Sequence, residues 1–422
     1  MAKNELIQVW CFDNEIGSLG WDEHKRVSYF QYNPNYLASN KYQHMIPDTG
    51  IIKRISEVQV FNDYNNSFKG LPSVFADSLP DIFGNIVFKT WLERNNKQFE
   101  KISVIEQLAY VANRGMGAFE YKPKKDIPPS STIQIEEIVA VLKDVLALKN
   151  KTVEDKLNHE ALLNIFKMGT SAGGVRPKIL IAENKKIGQI IPGDIEYSNT
   201  YEYYLVKLNL NEEFDFKREL IEYAYYQTAI HCGITMMPSN IIEGGHFATK
   251  RFDRINGDKI HVLTASGISG WDFNDSTQSS YENLFELSLF LKLPHTNREE
   301  LFRRMVFNIV MANNDDHLKN HSFIYDPTND SWTISPAYDI TYSLNPLLNF
   351  KKTSRALSIN NKRNNIQLED VKYLAKSYTV RNYHKIIDEV HSGIAYWKKA
   401  ANELSVPKKI IDSISNDFVW LK

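Results

Sequence analysis

Apolar and polar residues change their period along this chain. Leu6 to Phe12 and Val27 to Tyr32 alternate, which predicts strands, and Val104 to Val111 repeats at helical spacing. The stretch from Lys122 to Thr132 has no period and holds Pro123, Pro128 and Pro129, which predicts a linker. Ser131 with Gln134 reads as a capping box. The helix it opens carries Ile135, Ile138, Val139, Leu142, Val145 and Leu146 on one face. Residues 160–255 read as mostly strand. Lys178 to Ala182 and Ile187 to Ile191 flank a turn, Tyr201 to Leu210 is a long strand, and the helix Phe216 to His231 is closed by Gly233. Ile260 to Thr264 predicts one more strand. Beyond residue 280 the pattern is helical, over Glu282 to Leu291, Glu299 to Ala312, Leu368 to Ser377, Val380 to Ala401 and Pro407 to Phe418. A hairpin interrupts it, with strands His321 to Tyr325 and Ser331 to Ile334 around the turn Asp326-Pro327-Thr328-Asn329-Asp330. No internal repeat is visible. The expected architecture is α+β: an N-terminal α/β subdomain over 1–121, a linker over 122–132, a strand-rich lobe over 133–252 and a helical lobe over 253–422.

With 422 residues the chain is long enough for two or three units with cores of their own. A net charge of −1 gives no global attraction to nucleic acid or membrane. Two cysteines, Cys11 and Cys232, build no disulfide framework, which suits a reducing cytoplasm. The first residues lead straight into a predicted strand rather than a signal peptide, and no apolar run is long enough to span a bilayer.

The chemistry concentrates in Asn313-Asn314-Asp315-Asp316-His317-Leu318-Lys319-Asn320, placed between a helix and the hairpin, with Asp339 just beyond the hairpin. A hairpin returns on itself, so the two segments can meet. Phosphoryl transfer needs such a set: one Asp to accept the proton of the attacking hydroxyl, and an Asn with a second Asp to hold Mg²⁺ against phosphates. The spacing Asp-x-x-x-x-Asn is that of the protein-kinase catalytic loop. Ordinary turns are also rich in Asn and Asp, so a nucleotide half of the site is required elsewhere. Gly169, Thr170, Ser171, Ala172, Gly173 and Gly174 form a glycine-rich stretch whose backbone could approach phosphates, though it is neither a Walker A loop nor a Rossmann fingerprint. Lys207 lies in an apolar strand and calls for an anionic partner, unless that strand is an edge with Lys207 facing water. Glu222 and Glu219 on the next helix are equally placed to pair with it. Lys250 and Phe252, in Thr249-Lys250-Arg251-Phe252-Asp253-Arg254, fit either a hinge offering backbone groups to adenine or a charged surface strand. Lys351, Lys352, Arg355, Lys362 and Arg363 make a basic span without an acidic residue, read as a solvated face or a docking face for an acidic partner.

Together these segments resemble the HipA family, the serine/threonine kinase toxins of bacterial toxin–antitoxin pairs, over nearly the whole chain. The motif-like Asp77-Ser78-Leu79-Pro80-Asp81 and Gly115-Met116-Gly117-Ala118 are similar to the domain that precedes the kinase lobes there. The resemblance implies a bilobal protein-kinase-like fold, ATP and Mg²⁺ as cofactors, and autophosphorylation of Ser171. It assigns phosphate binding to the glycine-rich loop, Lys207 and Glu222, and adenine contact to the Lys250–Phe252 hinge. Asp315 becomes the base, with Lys319 offsetting charge on the transferred phosphoryl group. Asn320 and Asp339 become the metal ligands, and His317, grouped with the cofactor-binding residues, is read as a brace of the catalytic loop rather than an acid–base group. The implied partners are a protein substrate such as an aminoacyl-tRNA synthetase and a HipB-like helix-turn-helix antitoxin, with DNA reached only through the antitoxin. Asp316 departs from the best-known members, which have glycine there, and is expected to raise the pKa of Asp315 through its charge. The Gly-Gly-Val-Arg-Pro-Lys form of the loop is a second departure. Rival readings are a small-molecule or lipid kinase of the same superfold, a non-catalytic antitoxin-binding co-repressor, and a metal hydrolase built on His246, His317 and Asp315.

Overall fold

The computed structural model describes residues 5–63, 66–125, 134–147, 176–193, 199–210, 216–344 and 354–422. Two compact units emerge. The first comprises residues 1–210 and 248–263, and the second 211–247 and 264–422. The first unit therefore holds both the N-terminal subdomain and most of the strand-rich lobe.

The first unit opens with an antiparallel sheet of β1 (Glu5–Cys11), β2 (Asn14–Asp22), β3 (Val27–Tyr32), β4 (Gln59–Phe61) and β5 (Glu120–Lys122), in the order β4-β3-β2-β1-β5. Alternation sends Ile7, Val9 and Cys11 inward from β1, and Phe30 and Tyr32 inward from β3. β2 was not evident as a strand because Gly17 and Gly20 break its alternation. Gly17 is required by close approach: a Cβ there would lie 2.3 Å from the Gln31 carbonyl oxygen. Helices α1 (Pro34–Ala38), α2 (Ser73–Ala76), α3 (Ile82–Arg94) and α4 (Val104–Val111) accompany the sheet. Asp81 caps α3 by accepting from the Gly84 N–H, and Ser103 caps α4 by accepting from that of Glu106. Phe30, Phe75, Phe119 and His261 form a chain of tilted and edge-on ring contacts through the core, with centroids 4.7 to 5.4 Å apart. Burial pushes the His261 imidazole down to about 3, so it is neutral at physiological pH.

Helix α5 (Ile135–Ala147) follows, starting where the sequence expected it; its Ser131 cap lies outside the described residues. A second set of strands in this unit contains β6 (Lys178–Asn184), β7 (Gln189–Pro192) and β8 (Tyr201–Lys207). β6 pairs antiparallel with β7 and with β8. On the other side of β8, the Arg251 N–H donates to the Tyr203 carbonyl at 2.8 Å.

The second unit is mainly helical: α6 (Arg218–His231), α7 (Ala265–Ser269), α8 (Tyr281–Phe290), α9 (His295–Val310), α10 (Leu368–Ser377), α11 (Tyr383–Glu403) and α12 (Lys408–Ser415). Its core gathers Tyr225 from α6, Phe307 from α9, Trp397 from α11 and Phe418. The Trp397 ring lies 5.7 Å from that of Tyr225 and 5.3 Å from that of Phe418. The predicted hairpin is present as β9 (Ser322–Asp326) and β10 (Ser331–Ile334), paired from Phe323 with Ile334 to Asp326 with Ser331. Cys11 and Cys232 are both buried and free. No helix among the described residues is long and apolar enough to cross a membrane.

Candidate active site

The loop that follows α9 is held almost residue by residue. Ala312 turns it with a positive φ of 53°, and the Tyr225 hydroxyl donates to the Met311 carbonyl at 2.7 Å. Ser343 Oγ accepts from the N–H groups of both Asn314 and Asp315, at 3.0 and 2.9 Å. The Asn320 carboxamide donates to the Asp315 carbonyl at 2.7 Å, closing the loop over a 3-10 turn at Leu318–Asn320. The Tyr338 hydroxyl donates to the Lys319 carbonyl at 2.7 Å and also contacts the Ser322 hydroxyl. Tyr338 thereby ties the loop to the segment that carries Asp339, as the hairpin topology predicted. Asp339 has φ 55°, a left-handed conformation rare outside glycine, Asn and Asp.

Asn320 and Asp339 line one small pocket together with Asn308, Asn313, Asp316 and His321. A carboxamide and a carboxylate oxygen are hard donors of the kind Mg²⁺ takes as a minority of its shell, the rest coming from water and phosphate. Asp315 is the outward group of the loop: its side chain is 71% exposed, whereas that of neighbouring Asp316 is fully buried. His317 Nε2 lies 3.8 Å from the Asp315 carboxylate, too far for a hydrogen bond, and its ring lies 5.5 Å from that of Phe273. Lys319 Nζ stands 5.1 Å from the centre of the same Phe273 ring, within cation–π range. Phe273 thus contacts two loop residues, and nothing in the sequence spacing pointed to it.

The expectation for Asp316 is corrected. Rather than loading the base with a second free charge, its carboxylate meets Arg355 at 2.8 Å, the Tyr281 hydroxyl at 2.9 Å and the Ala356 and Leu357 N–H groups at 3.0 and 3.2 Å. Burial pushes this carboxyl up and the Arg355 guanidinium opposes it. The basic span is corrected at Arg355, which is buried, and at Arg363, which donates to the Arg355 and Ser279 carbonyls; Lys362 stays exposed while pairing with Asp370 at 2.8 Å. These cations hold the fold together; Lys351 and Lys352 lie outside the described residues.

In the first unit Lys207 is buried within β8, which pairs with β6 on one side and accepts the Arg251 N–H on the other, so the edge-strand alternative is excluded. Lys178, its cross-strand partner on β6, is equally buried. Sequence reasoning did not single out this second buried lysine, although its position just after the glycine-rich stretch was an available signal. Lys250 pairs with Glu202 at 2.7 Å, and Phe252 is half-buried. The surface-strand alternative for residues 249–254 fails at its charged positions. Asp253 is fully buried between Arg251 and Arg254, at 2.7 and 2.8 Å. It also accepts the Gly117 N–H at 3.1 Å. Arg254 reaches the Gly115 and Gly117 carbonyls, and Arg251 that of Gly193. This triad locks the Gly115–Ala118 loop to the strands around it. Gly117 is needed there: its φ is 74° and a Cβ would lie 2.8 Å from the Val262 carbonyl oxygen.

Glu222 and Glu219 are both buried on α6 in the second unit. Gly169 to Gly174, including Ser171, lie outside the described residues. No cluster of three His, Cys, Asp or Glu side chains among the described residues suits a metal, which leaves the hydrolase built on His246, His317 and Asp315 without a centre.

The fold is a mixed α/β architecture shared with a solved HipA chain. The HipA-like C-terminal domain model matches residues 170–397, more than half of the chain, and the HipA N-terminal domain model matches residues 7–122. The chain belongs to the HipA family. A solved complex of HipA, HipB and operator DNA from Shewanella oneidensis shares the fold. Its TM-score is 0.64 at 16% identity, over 97% of this chain and 94% of that one. Two curated relatives carry the name "Putative kinase". One is Y4dM of Sinorhizobium fredii, 24% identical over 41% of this chain and 43% of its own length. The other is a Haemophilus influenzae protein, 27% identical over 40% of this chain and 52% of its own length. The chain thus spans only about half the length of the curated relatives it matches.

Proposed function

We propose that this protein is an ATP- and Mg²⁺-dependent serine/threonine protein kinase acting as the toxin of a toxin–antitoxin pair. The observation that carries the reading is the loop itself. Asn320 and Asp339 share one pocket while Asp315, five residues before Asn320 on the same loop, stands exposed, on a backbone fixed by Ser343, Tyr338 and Tyr225.

In this reading Asn320 and Asp339 hold Mg²⁺, which offsets the charge of the nucleotide phosphates. Lys207 adds positive charge at the phosphates, and the glycine-rich loop from Gly169 to Gly174 supplies backbone N–H groups. Lys250 to Phe252 cover the adenine. Asp315 orients the acceptor hydroxyl and takes its proton, and Lys319 stabilises charge on the transferred group. His317 braces the loop against Phe273. Such a reaction depends on positioning and electrostatics rather than covalent chemistry. Ser171 is the proposed autophosphorylation site. A phosphate of about −2 charge there would occupy the nucleotide's phosphate cradle and switch the enzyme off.

The proposed setting is the cytoplasm. The partners are a HipB-like helix-turn-helix antitoxin, through which DNA is reached, and a protein substrate among translation components such as an aminoacyl-tRNA synthetase. The test supplies γ-labelled ATP and Mg²⁺ with a cell extract in one tube and a panel of small alcohols and lipids in another. Label on protein Ser or Thr, and none on the small acceptors, is the expected result. Label on a small alcohol would move the protein to the small-molecule kinases, and no label anywhere would favour a binding role.

A further inference from the structure

The segment from Arg355 to Arg363, read from sequence as part of a charged face, grips the active-site loop from behind through Arg355, Ala356 and Leu357. Arg355 Nη1 meets Asp316 at 2.8 Å, while its Nη2 reaches the Asn308 carbonyl at 3.2 Å and the Asn314 carboxamide oxygen at 3.4 Å. The Ala356 N–H donates to the Asn314 carbonyl at 2.9 Å as well as to Asp316. The same segment holds a second loop. Ser358 exchanges backbone hydrogen bonds with Ser279 and Tyr281, and Arg363 donates to the carbonyls of Ser276 and Ser279. That second loop carries Phe273, the ring under His317 and Lys319. Asp316 therefore has no free lone pair for chemistry. It is the peg by which one segment fixes the residues on either side of Asp315.

We propose that Asp316 and Arg355 are a positioning pair for phosphoryl transfer, and that residues 355–363 set the geometry of the catalytic loop and of its Phe273 platform. This rests on the kinase reading of the loop. A positioning pair acts on the reacting geometry and not on nucleotide capture. A misplacement of about 1 Å at a reacting group can lower turnover on the order of 100-fold. A lysine at 355 restores one contact but not the forked set that the guanidinium makes.

The test compares Arg355→Met, Arg355→Lys and the double variant Asp316→Asn/Arg355→Met with wild type. The double variant leaves no unpaired buried charge, so it serves where Arg355→Met does not fold. Two readouts are taken: kcat and KM for ATP with labelled transfer, and amide hydrogen exchange over residues 313–321. The expected result is a kcat lowered about 100-fold for the methionine variants and less for Arg355→Lys. KM for ATP should stay within about twofold, and exchange over the loop should rise, while α11 stays protected. Unchanged exchange at 313–321 in the folded variants, or a kcat equal to wild type, would overturn the proposal. If wild type transfers no phosphate to any acceptor, the kinase reading fails. The pair is then judged on loop exchange alone.

Discussion

Asp253→Asn should be among the most damaging single substitutions in the first unit, although it touches no proposed substrate. The Asp253 carboxylate is fully buried, gripped bidentately by Arg251 at 2.8 and 2.7 Å and met by Arg254 at 2.8 Å. Two guanidinium groups therefore share one counter-ion. Removing its charge takes this counter-ion from two buried guanidinium groups, and breaking a buried pair in this way costs ~3–5 kcal/mol. The lower part of that range applies here. Arg251 keeps the Gly193 carbonyl at 2.7 Å, and Arg254 keeps that of Gly115 at 2.9 Å. For a unit of this size ~3 kcal/mol corresponds to a fall in Tm of about 6–12 °C. The pH dependence has a definite sign. Burial alone would raise the Asp253 pKa, but Arg251 and Arg254 outweigh it and hold the carboxyl well below its ordinary value. A depressed folded pKa gives stability that is present above the unfolded value of about 4 and lost as pH falls below it. The gap between wild type and Asp253→Asn should therefore be widest near pH 7 and narrow below about pH 4. Calorimetry at several pH values reads the gap, and amide exchange at residues 115–118 reports the unit concerned. A loss below ~1 kcal/mol at pH 7, or a gap that widens in acid, would refute the argument.

Four further outcomes follow from named contacts. Gly117→Ala should destabilise the first unit by more than ~1 kcal/mol in urea unfolding, because the left-handed φ and the Val262 carbonyl both oppose a Cβ. Trp397→Ala removes a fully buried ring from the second unit and should cost ~3–5 kcal/mol, read as a lower Tm with exchange rising first in α6 and α11. Lys207→Met should raise the KM for ATP more than it lowers thermal stability, since an apolar residue replaces a buried ammonium; nucleotide titration against melting separates the two. Asp339→Asn should raise the Mg²⁺ concentration needed for half-maximal transfer, measured at saturating ATP.

Period and turn chemistry made much of the fold legible. Val27–Tyr32, Val104–Val111, Ser331–Ile334 and Leu368–Ser377 form where the pattern predicted; Val27–Tyr32 and Leu368–Ser377 each bury one face at the matching repeat, whereas Val104–Val111 is buried nearly all round. β2 was hidden by Gly17, whose small size serves a neighbouring strand rather than its own pattern. The expected meeting of the two acidic segments was also legible, since a hairpin between them leaves few other arrangements; Asn320 and Asp339 do share a pocket. What could not be read was which charges are buried. Asp253, Arg251 and Arg254 look like a surface strand until Gly117 arrives from 136 positions away. Asp316 and Arg355, 39 apart, belong to separate sequence patterns whose union exists only in the folded chain. Local sequence reports charge, and only the fold supplies its partner.

The claim that Asp315 serves phosphoryl transfer is tested most directly by intact-mass measurement with peptide mapping. Wild type and Asp315→Ala protein are incubated with Mg-ATP and compared. The account predicts phosphate on Ser171 in wild type and none on Asp315→Ala, with a rate difference on the order of 1000-fold or more. Equal phosphorylation of the two proteins would contradict it, because the exposed carboxylate of the loop would then have no part in the reaction.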